Sequence, residues 1–219
     1  MHIPDGFLAF HVWGPLWAVG AGGIALCLKR VTRTLQERAI PLMGVMAAFI
    51  FAAQMLNFPV AGGTSGHLMG GVLAAVLLGP WGGAVVISVV LTVQCLLFQD
   101  GGITAFGANV VNMSLVGAGL GYCVFSLVRS APGIRVMRRP DPIIIAAAAA
   151  SWCSVVLASG TCAVELALSG TSPLRVALPA MLGIHALIGI GEAIITCLVI
   201  SFVLKVRPDL VYGAESRQS

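Results

Sequence analysis

The alternation of apolar and polar positions divides the chain into seven apolar stretches, at about 11–28, 40–57, 67–79, 81–99, 107–128, 142–168 and 176–204. Most supply the roughly twenty apolar residues that a helix needs to cross the hydrocarbon of a bilayer. The third, HLMGGVLAAVLLG, is shorter and ends at Gly79-Pro80, where the missing N–H of proline interrupts a helix. It is predicted to be a tilted helix or one that starts inside the bilayer. The pattern predicts an all-α, polytopic membrane protein with seven transmembrane helices, forming one domain over residues 1–219.

The basic residues orient these helices. With seven crossings and Met1 outside, the cytoplasmic segments hold Lys29, Arg30, Arg33 and Arg38, then Arg129, Arg135, Arg138 and Arg139, then Lys205, Arg207 and Arg217. Arg175 alone falls outside, an eleven-to-one division of the twelve basic residues in the sense of the positive-inside rule. Omitting the short third span scatters the basic loops over both sides. The N-terminus is therefore expected outside and the C-terminus in the cytoplasm, with 205–219 a cytoplasmic tail. Residues 1–10, the loop 57–67 and the stretch QDGGITAFGAN (99–109) then share the external face, which also gathers Asp5, Asp100, His2, His11 and His67.

Composition agrees with the pattern. The chain is 58% hydrophobic and 9% charged, with a mean hydropathy of +1.01, against roughly a quarter charged for a soluble domain. A soluble globule of this size cannot be coated by so few charges. The cysteines at 27, 95, 123, 153, 162 and 197 all lie in apolar runs without a CxxC pair, which reads as packing rather than zinc or disulfide chemistry. No cleavable signal peptide fits the first residues, which lack a basic region. A large second residue, histidine, leads us to expect that Met1 is kept with a free α-amine. There is no GxxxxGK[ST] phosphate loop and no HExxH motif, so active transport would draw its energy from another chain or from an ion gradient.

The candidate chemistry lies at the start. In Met1-His2 the α-amine, the His2 backbone nitrogen and Nδ1 of its imidazole can chelate one ion in a five- and a six-membered ring. Three coplanar nitrogens leave one equatorial position for another imidazole, and an all-nitrogen square-planar site suits Ni(II) or Cu(II). Binding would release protons, so affinity should fall in acid. Pro4 ends the chelating segment and Asp5-Gly6 turns the chain back toward the membrane. His67, at the start of the third stretch after GGTSG, is the natural fourth ligand. The plainer alternative makes His2 and His67 ordinary surface and loop histidines. His11, beside Trp13 and Trp17, fits the aromatic belt of a membrane interface.

Further polar residues can orient these ligands: Asp5, Asn57, Thr64, Ser65, Gln94, Asp100, Asn109 and Asn112, with Gln54 and Ser114 in the same class. They can equally bond helix to helix. His185 and Glu192, seven residues apart, share one face of the last helix and need partners inside a membrane. They are supporting groups for the site or, in a rival scheme, the working residues of an intramembrane enzyme or channel. Small residues at Gly44, Ala48 and Ala52 form a stripe suited to helix packing, within the chain or against a partner.

The opening MHIPDGFL, the block NFPVAGGTSGHLMGGVLAAVLLGPWGGAVV, the stretch QDGGITAFGANVVNMSLVG and HALIGIGEAIIT (185–196) resemble the substrate-binding membrane subunits of cobalt/nickel energy-coupling-factor transporters, the CbiM/NikM family. The resemblance runs from residue 1 to about 200. It implies a seven-helix subunit of the cell membrane that captures Ni(II), or alternatively Co(II) for cobalamin synthesis, and is not itself an enzyme. The ligands it implies are the Met1 amine, the His2 amide and imidazole, and His67. The partners it implies are a transmembrane coupling subunit, two ATPase subunits and, in some cases, a small accessory membrane protein. No cofactor and no nucleic acid enter.

Overall fold

The computed structural model describes residues 1–34, 39–56, 58–60, 64–136 and 141–212. Helix α1 (Phe10–Thr34) follows a turn at the N-terminus, and α2 (Ile40–Gln54) leads to two three-residue strands, β1 (Phe58–Val60) and β2 (Thr64–Gly66). Then come α3 (Gly71–Phe98), α4 (Phe106–Ser130), α5 (Pro142–Leu168) and α6 (Leu174–Val206). Five of these helices are long and apolar enough to cross a membrane, and α2 is a shorter apolar helix. The all-α expectation holds for the bundle but needs one correction. The loop after α2 carries an antiparallel β1–β2 ladder in which Phe58 faces Gly66 and Val60 faces Thr64.

The third and fourth apolar stretches form the single bent element α3. In a straight helix, residues eight apart are separated by about 12 Å along the axis. Here a Cβ placed on Gly83 would stand 2.7 Å from the Cα of Ala75, so the chain doubles back between them. The reversal falls at Gly79, whose φ of 77° and ψ of 165° belong to glycine alone. Pro80 has no N–H for the Val76 carbonyl, and Tyr212 supplies one from the far end of the chain at 2.9 Å. The turn lost to proline is thereby satisfied.

The first limb of α3 is buried on every side, from Gly71 through Gly79. An all-apolar sequence of this kind can face neighbours in any direction, and this limb is the centre of the bundle. Its helix begins at Gly71, not at His67 as the sequence pattern suggested. Residues 67–70 are non-helical, because Glu192 of α6 takes the Met69 and Gly70 amides and Gly70 adopts φ 72°. Helix α4 contains a π-helical stretch, Val110–Leu120. Such wider turns are common at functional sites, and this one follows directly on Asn109.

Candidate metal centre

The first three residues enter the protein interior. Met1 and Ile3 are 0% exposed and His2 3%. Their docking is a short imitation of strand pairing. The Ile3 N–H donates to Asn109 Oδ1 at 2.8 Å, and Asn109 Nδ2 donates to the Ile3 carbonyl at 3.1 Å. Gly102 N–H donates to that same carbonyl at 2.9 Å. The approach is too close for any other residue at 102, where a Cβ would lie 2.3 Å from the Asp5 nitrogen. Asp5 then anchors the turn. Its carboxylate accepts the N–H groups of Ile103 and Thr104 at 3.1 and 2.7 Å, and the Thr104 hydroxyl. Those bonds, that of the hydroxyl first, hold its pKa below the ordinary carboxylate range.

This docking brings His2 against His67. The two rings stack with centroids 4.6 Å apart and planes inclined by 26°. His2 Nε2 lies 3.1 Å from Gln94 Oε1. An amide oxygen only accepts, so with this assignment of the Gln94 amide Nε2 carries the ring proton and Nδ1 keeps its lone pair. Nδ1 makes no hydrogen bond among the described residues, although Asp100 Oδ1 stands 3.3 Å away. That carboxylate repels a lone pair and attracts a cation placed on it.

His67 is 0% exposed. Its Nδ1 donates to the Leu68 carbonyl at 2.7 Å, which leaves Nε2 as a buried lone pair without a hydrogen-bond partner among the described residues. Both imidazoles thus present an unprotonated nitrogen. Burial is the largest cause, and it pushes the Met1 amine down from 8.0 to about 5 and His2 down from 6.5 to about 4. His67 lies well below its ordinary value, first through burial and then through the neighbouring amine and His2. Near neutrality the docked nitrogens are uncharged, as metal ligation requires.

The strap carrying His67 is held by two side chains from other helices. Glu192 Oε2 and Oε1 accept the Met69 and Gly70 N–H groups, each at 2.7 Å. Gln54 Nε2 donates to the Met69 carbonyl at 2.8 Å, and the Leu68 carbonyl fixes the ring itself. Glu192 therefore caps the first limb of α3, and it is not paired with His185. His185 donates from Nδ1 to the Met181 carbonyl of its own helix at 2.8 Å.

The polar residues singled out in the sequence divide into two sets. Asp5, Gln54, Gln94, Asp100 and Asn109 touch the N-terminal segment or the strap. Asn112 instead bridges α4 to α5, donating to Glu165 Oε2 and accepting from the Thr161 hydroxyl, both at 2.7 Å. Ser114 donates to the Ala84 carbonyl at 2.7 Å, a bond between helices. Thr64 and Ser65 lie on β2, while Asn57 falls outside the described residues. His11 is at the surface, 3.2 Å from the Leu168 carbonyl. Sequence reasoning missed Gly102, Thr104 and the buried Glu165. Only the spacing DGGIT in 100–104, glycines followed by a hydroxyl, hinted at the first two.

Among the described residues no group of three His, Cys, Asp or Glu side chains could hold a metal ion. Five described helices long and apolar enough to cross a membrane define the class as a multi-pass membrane protein. The chain belongs to the CbiM family, described as the cobalt uptake substrate-specific transmembrane region, whose model matches residues 2–210. A putative fused nickel transport protein, NikMN, of Archaeoglobus fulgidus is 42% identical over 96% of this chain and 68% of its own length. The cobalt transport protein CbiM of Sorangium cellulosum is 32% identical over 96% of this chain and 94% of its own. A crystal structure of a truncated transition metal transporter superposes with a TM-score of 0.84 at 32% identity, covering 94% of this chain and 99% of that one.

Proposed function

We propose that this chain captures Ni(II) at the outer face of the cell membrane and delivers it inward as the substrate-specific subunit of an ATP-driven energy-coupling-factor importer. The ligands are the Met1 α-amine, the His2 backbone nitrogen, His2 Nδ1 and His67 Nε2. One observation carries this assignment: two stacked, buried imidazoles lie beside a buried amine, and each keeps an unprotonated nitrogen. Their closeness supports four nitrogens around one ion, with Asp100 balancing its charge. We count seven crossings, the doubled-back α3 as two, a reading supported by the division of the basic residues and one in which this site faces outward and the basic loops face the cytoplasm.

Nickel is favoured over cobalt by the planar, all-nitrogen donor set and by the name of the more similar relative. A Co(II) subunit of the same transporter type is the second reading, supported by the family's cobalt description. ATP hydrolysis belongs to two partner subunits joined through a transmembrane coupling subunit, because the chain carries no phosphate-binding loop. The enzyme or channel scheme would need Glu192 for chemistry, whereas both of its oxygens hold backbone amides.

The deciding experiment adds two residues ahead of Met1, which displaces the amine and leaves every side chain intact. We expect calorimetric Ni(II) affinity of the purified chain to fall by at least about a hundredfold. Unchanged affinity in that protein would refute the N-terminal chelate.

A further inference from the structure

A groove away from the candidate metal centre opens between α1, the second limb of α3 and α4. It holds about 320 Å³ and is walled by Trp17, Ala21, Ala25 and Leu28 of α1, Thr92 of α3 and Phe106 of α4. Ala21, Ala25 and Leu28 are exposed, so the groove opens on the side that α1 turns to the bilayer. Near Trp17 it is closed off, because a Cβ on Gly107 of α4 would stand 2.4 Å from the Trp17 Cα. The polar groups of its wall are already engaged. Thr92 donates its hydroxyl to the Ser88 carbonyl at 2.7 Å, Ser88 donates to the Ala84 carbonyl at 2.9 Å, and Trp17 Nε1 donates to the Thr104 carbonyl at 3.0 Å. What faces the groove is hydrocarbon. Its dimensions select an occupant. From Trp17 to Leu28 α1 rises about 16 Å, the depth of one leaflet of a hydrocarbon core about 30 Å thick. About 320 Å³ spread over that length gives a mean section of about 20 Å². A helix about 10 Å across fills about 80 Å², whereas a single alkyl chain fits.

At the Leu28 end the apolar wall meets cations. Lys29 and Arg30 follow directly, Arg33 lies one turn on, and no acidic residue occurs from Phe10 to Thr34. The Arg30 guanidinium stands 5.9 Å from the centre of the Trp81 ring. Trp81 and Ser88, seven residues apart, share one face of the second limb of α3, so this ring continues the groove wall to its basic end. We propose that the groove binds one anionic phospholipid, with an acyl chain lying along α1 from Leu28 to Trp17 and the phosphate at Lys29 and Arg30. Basic side chains at a membrane surface attract anionic headgroups, and a guanidinium pairs with phosphate oxygens through charge-assisted hydrogen bonds. The seated chain braces α1 against α3 and α4. The other end of α1 carries the N-terminal segment that docks on Asn109. The site is independent of the capture reading and of which face lies outside.

The test uses the purified complete chain with equimolar phosphatidylglycerol and phosphatidylcholine of the same acyl chains, read by native mass spectrometry. We expect one retained phosphatidylglycerol, favoured over phosphatidylcholine by at least about fivefold. Lys29→Gln with Arg30→Gln should remove that preference. Ala25→Phe fills the groove without touching a charge, and should lower phosphatidylglycerol retention by about fivefold or more. Unchanged helical circular dichroism in each variant shows that it folds. Equal retention of the two lipids by the native chain overturns the site, as does a preference that survives loss of both charges. Undiminished phosphatidylglycerol retention by Ala25→Phe shows binding by surface charge only and overturns the groove. If that variant instead loses a co-purifying transmembrane partner, the groove seats a helix.

Discussion

Asn109 shows how one side chain can do the work of a strand. Its carboxamide takes both backbone groups of Ile3 at 2.8 and 3.1 Å, and so fixes the register in which Met1 and His2 enter. An alanine there leaves the buried Ile3 N–H without its partner, while Gly102 still bonds the carbonyl, at a cost of about 1–3 kcal/mol. We expect Asn109→Ala to weaken Ni(II) binding about ten- to hundredfold, read by calorimetry, whereas Asn112→Ala, which breaks a bond to Glu165, should weaken it less. Acid acts on the same docking. Between pH 8.0 and about 5 a released N-terminus takes up a proton that the docked amine does not. A second proton, on His2, adds to this from pH 6.5 down to about 4. Release is therefore favoured as pH falls, each proton contributing about 1.4 kcal/mol per pH unit within its window. Hydrogen-exchange protection factors of the Ile3 and Gly102 amides in the metal-free chain should decline from pH 8 to 5, with Ni(II) affinity declining alongside. Protection that stays flat over that range would contradict a buried neutral amine.

Among the elements, α3 decides the geometry of the site. Its first limb starts under the His67 strap and ends where Tyr212 docks, so the two ends of this short helix touch the candidate metal centre and the chain's C-terminal segment. The reversal at Gly79 returns the second limb to the starting face, which is why Gln94 meets His2. Gly79→Ala imposes a left-handed φ of 77° on a residue with a side chain and drives its Cβ to within 2.8 Å of the Tyr212 ring. The strain alone costs about 1–3 kcal/mol. We expect a drop in the thermal midpoint of the purified chain that Tyr212→Ala relieves only in part, since it removes the clash and leaves the φ. Full relief by the double substitution would show that contact, not backbone conformation, demands glycine. The β1–β2 ladder and the Glu192 cap together make the strap a defined piece of structure between two helices.

At the scale of the whole molecule, two polar layers serve different ends. One, through Asp5, Gln54, Gln94, Asp100, Asn109 and Glu192, encloses the nitrogens at one end of the bundle. The other, through Ser88, Ser114, Asn112, Thr161 and Glu165, joins α3, α4 and α5 side by side. The proposed orientation is checked with single cysteines in a cysteine-free chain. A membrane-impermeant thiol reagent on intact cells should label Arg175→Cys, whereas Val136→Cys, at a position 79% exposed, should react only after permeabilisation. The opposite pattern would invert the topology and put the capture site on the cytoplasmic side.

The sequence by itself determined the class of protein and the seven apolar stretches, and it offered the sidedness and the candidate ligands that the proposal adopts. These are legible because hydropathy and charge act over a few residues at a time, and because the donor spacing of the proposed chelate lies within two adjacent residues. Only the tertiary structure decided which amide meets which backbone group. Ile3 and Asn109 are 106 residues apart, and Met69 and Glu192 are 123 apart. No local pattern separates Asn109, which docks the N-terminus, from Asn112, which bonds to Glu165. The same holds for His67 as the residue of a strap and not of a helix, and for the return of α3 on itself. Each depends on a partner brought near by packing, and hydrogen bonds in a buried interior are assigned by position in space.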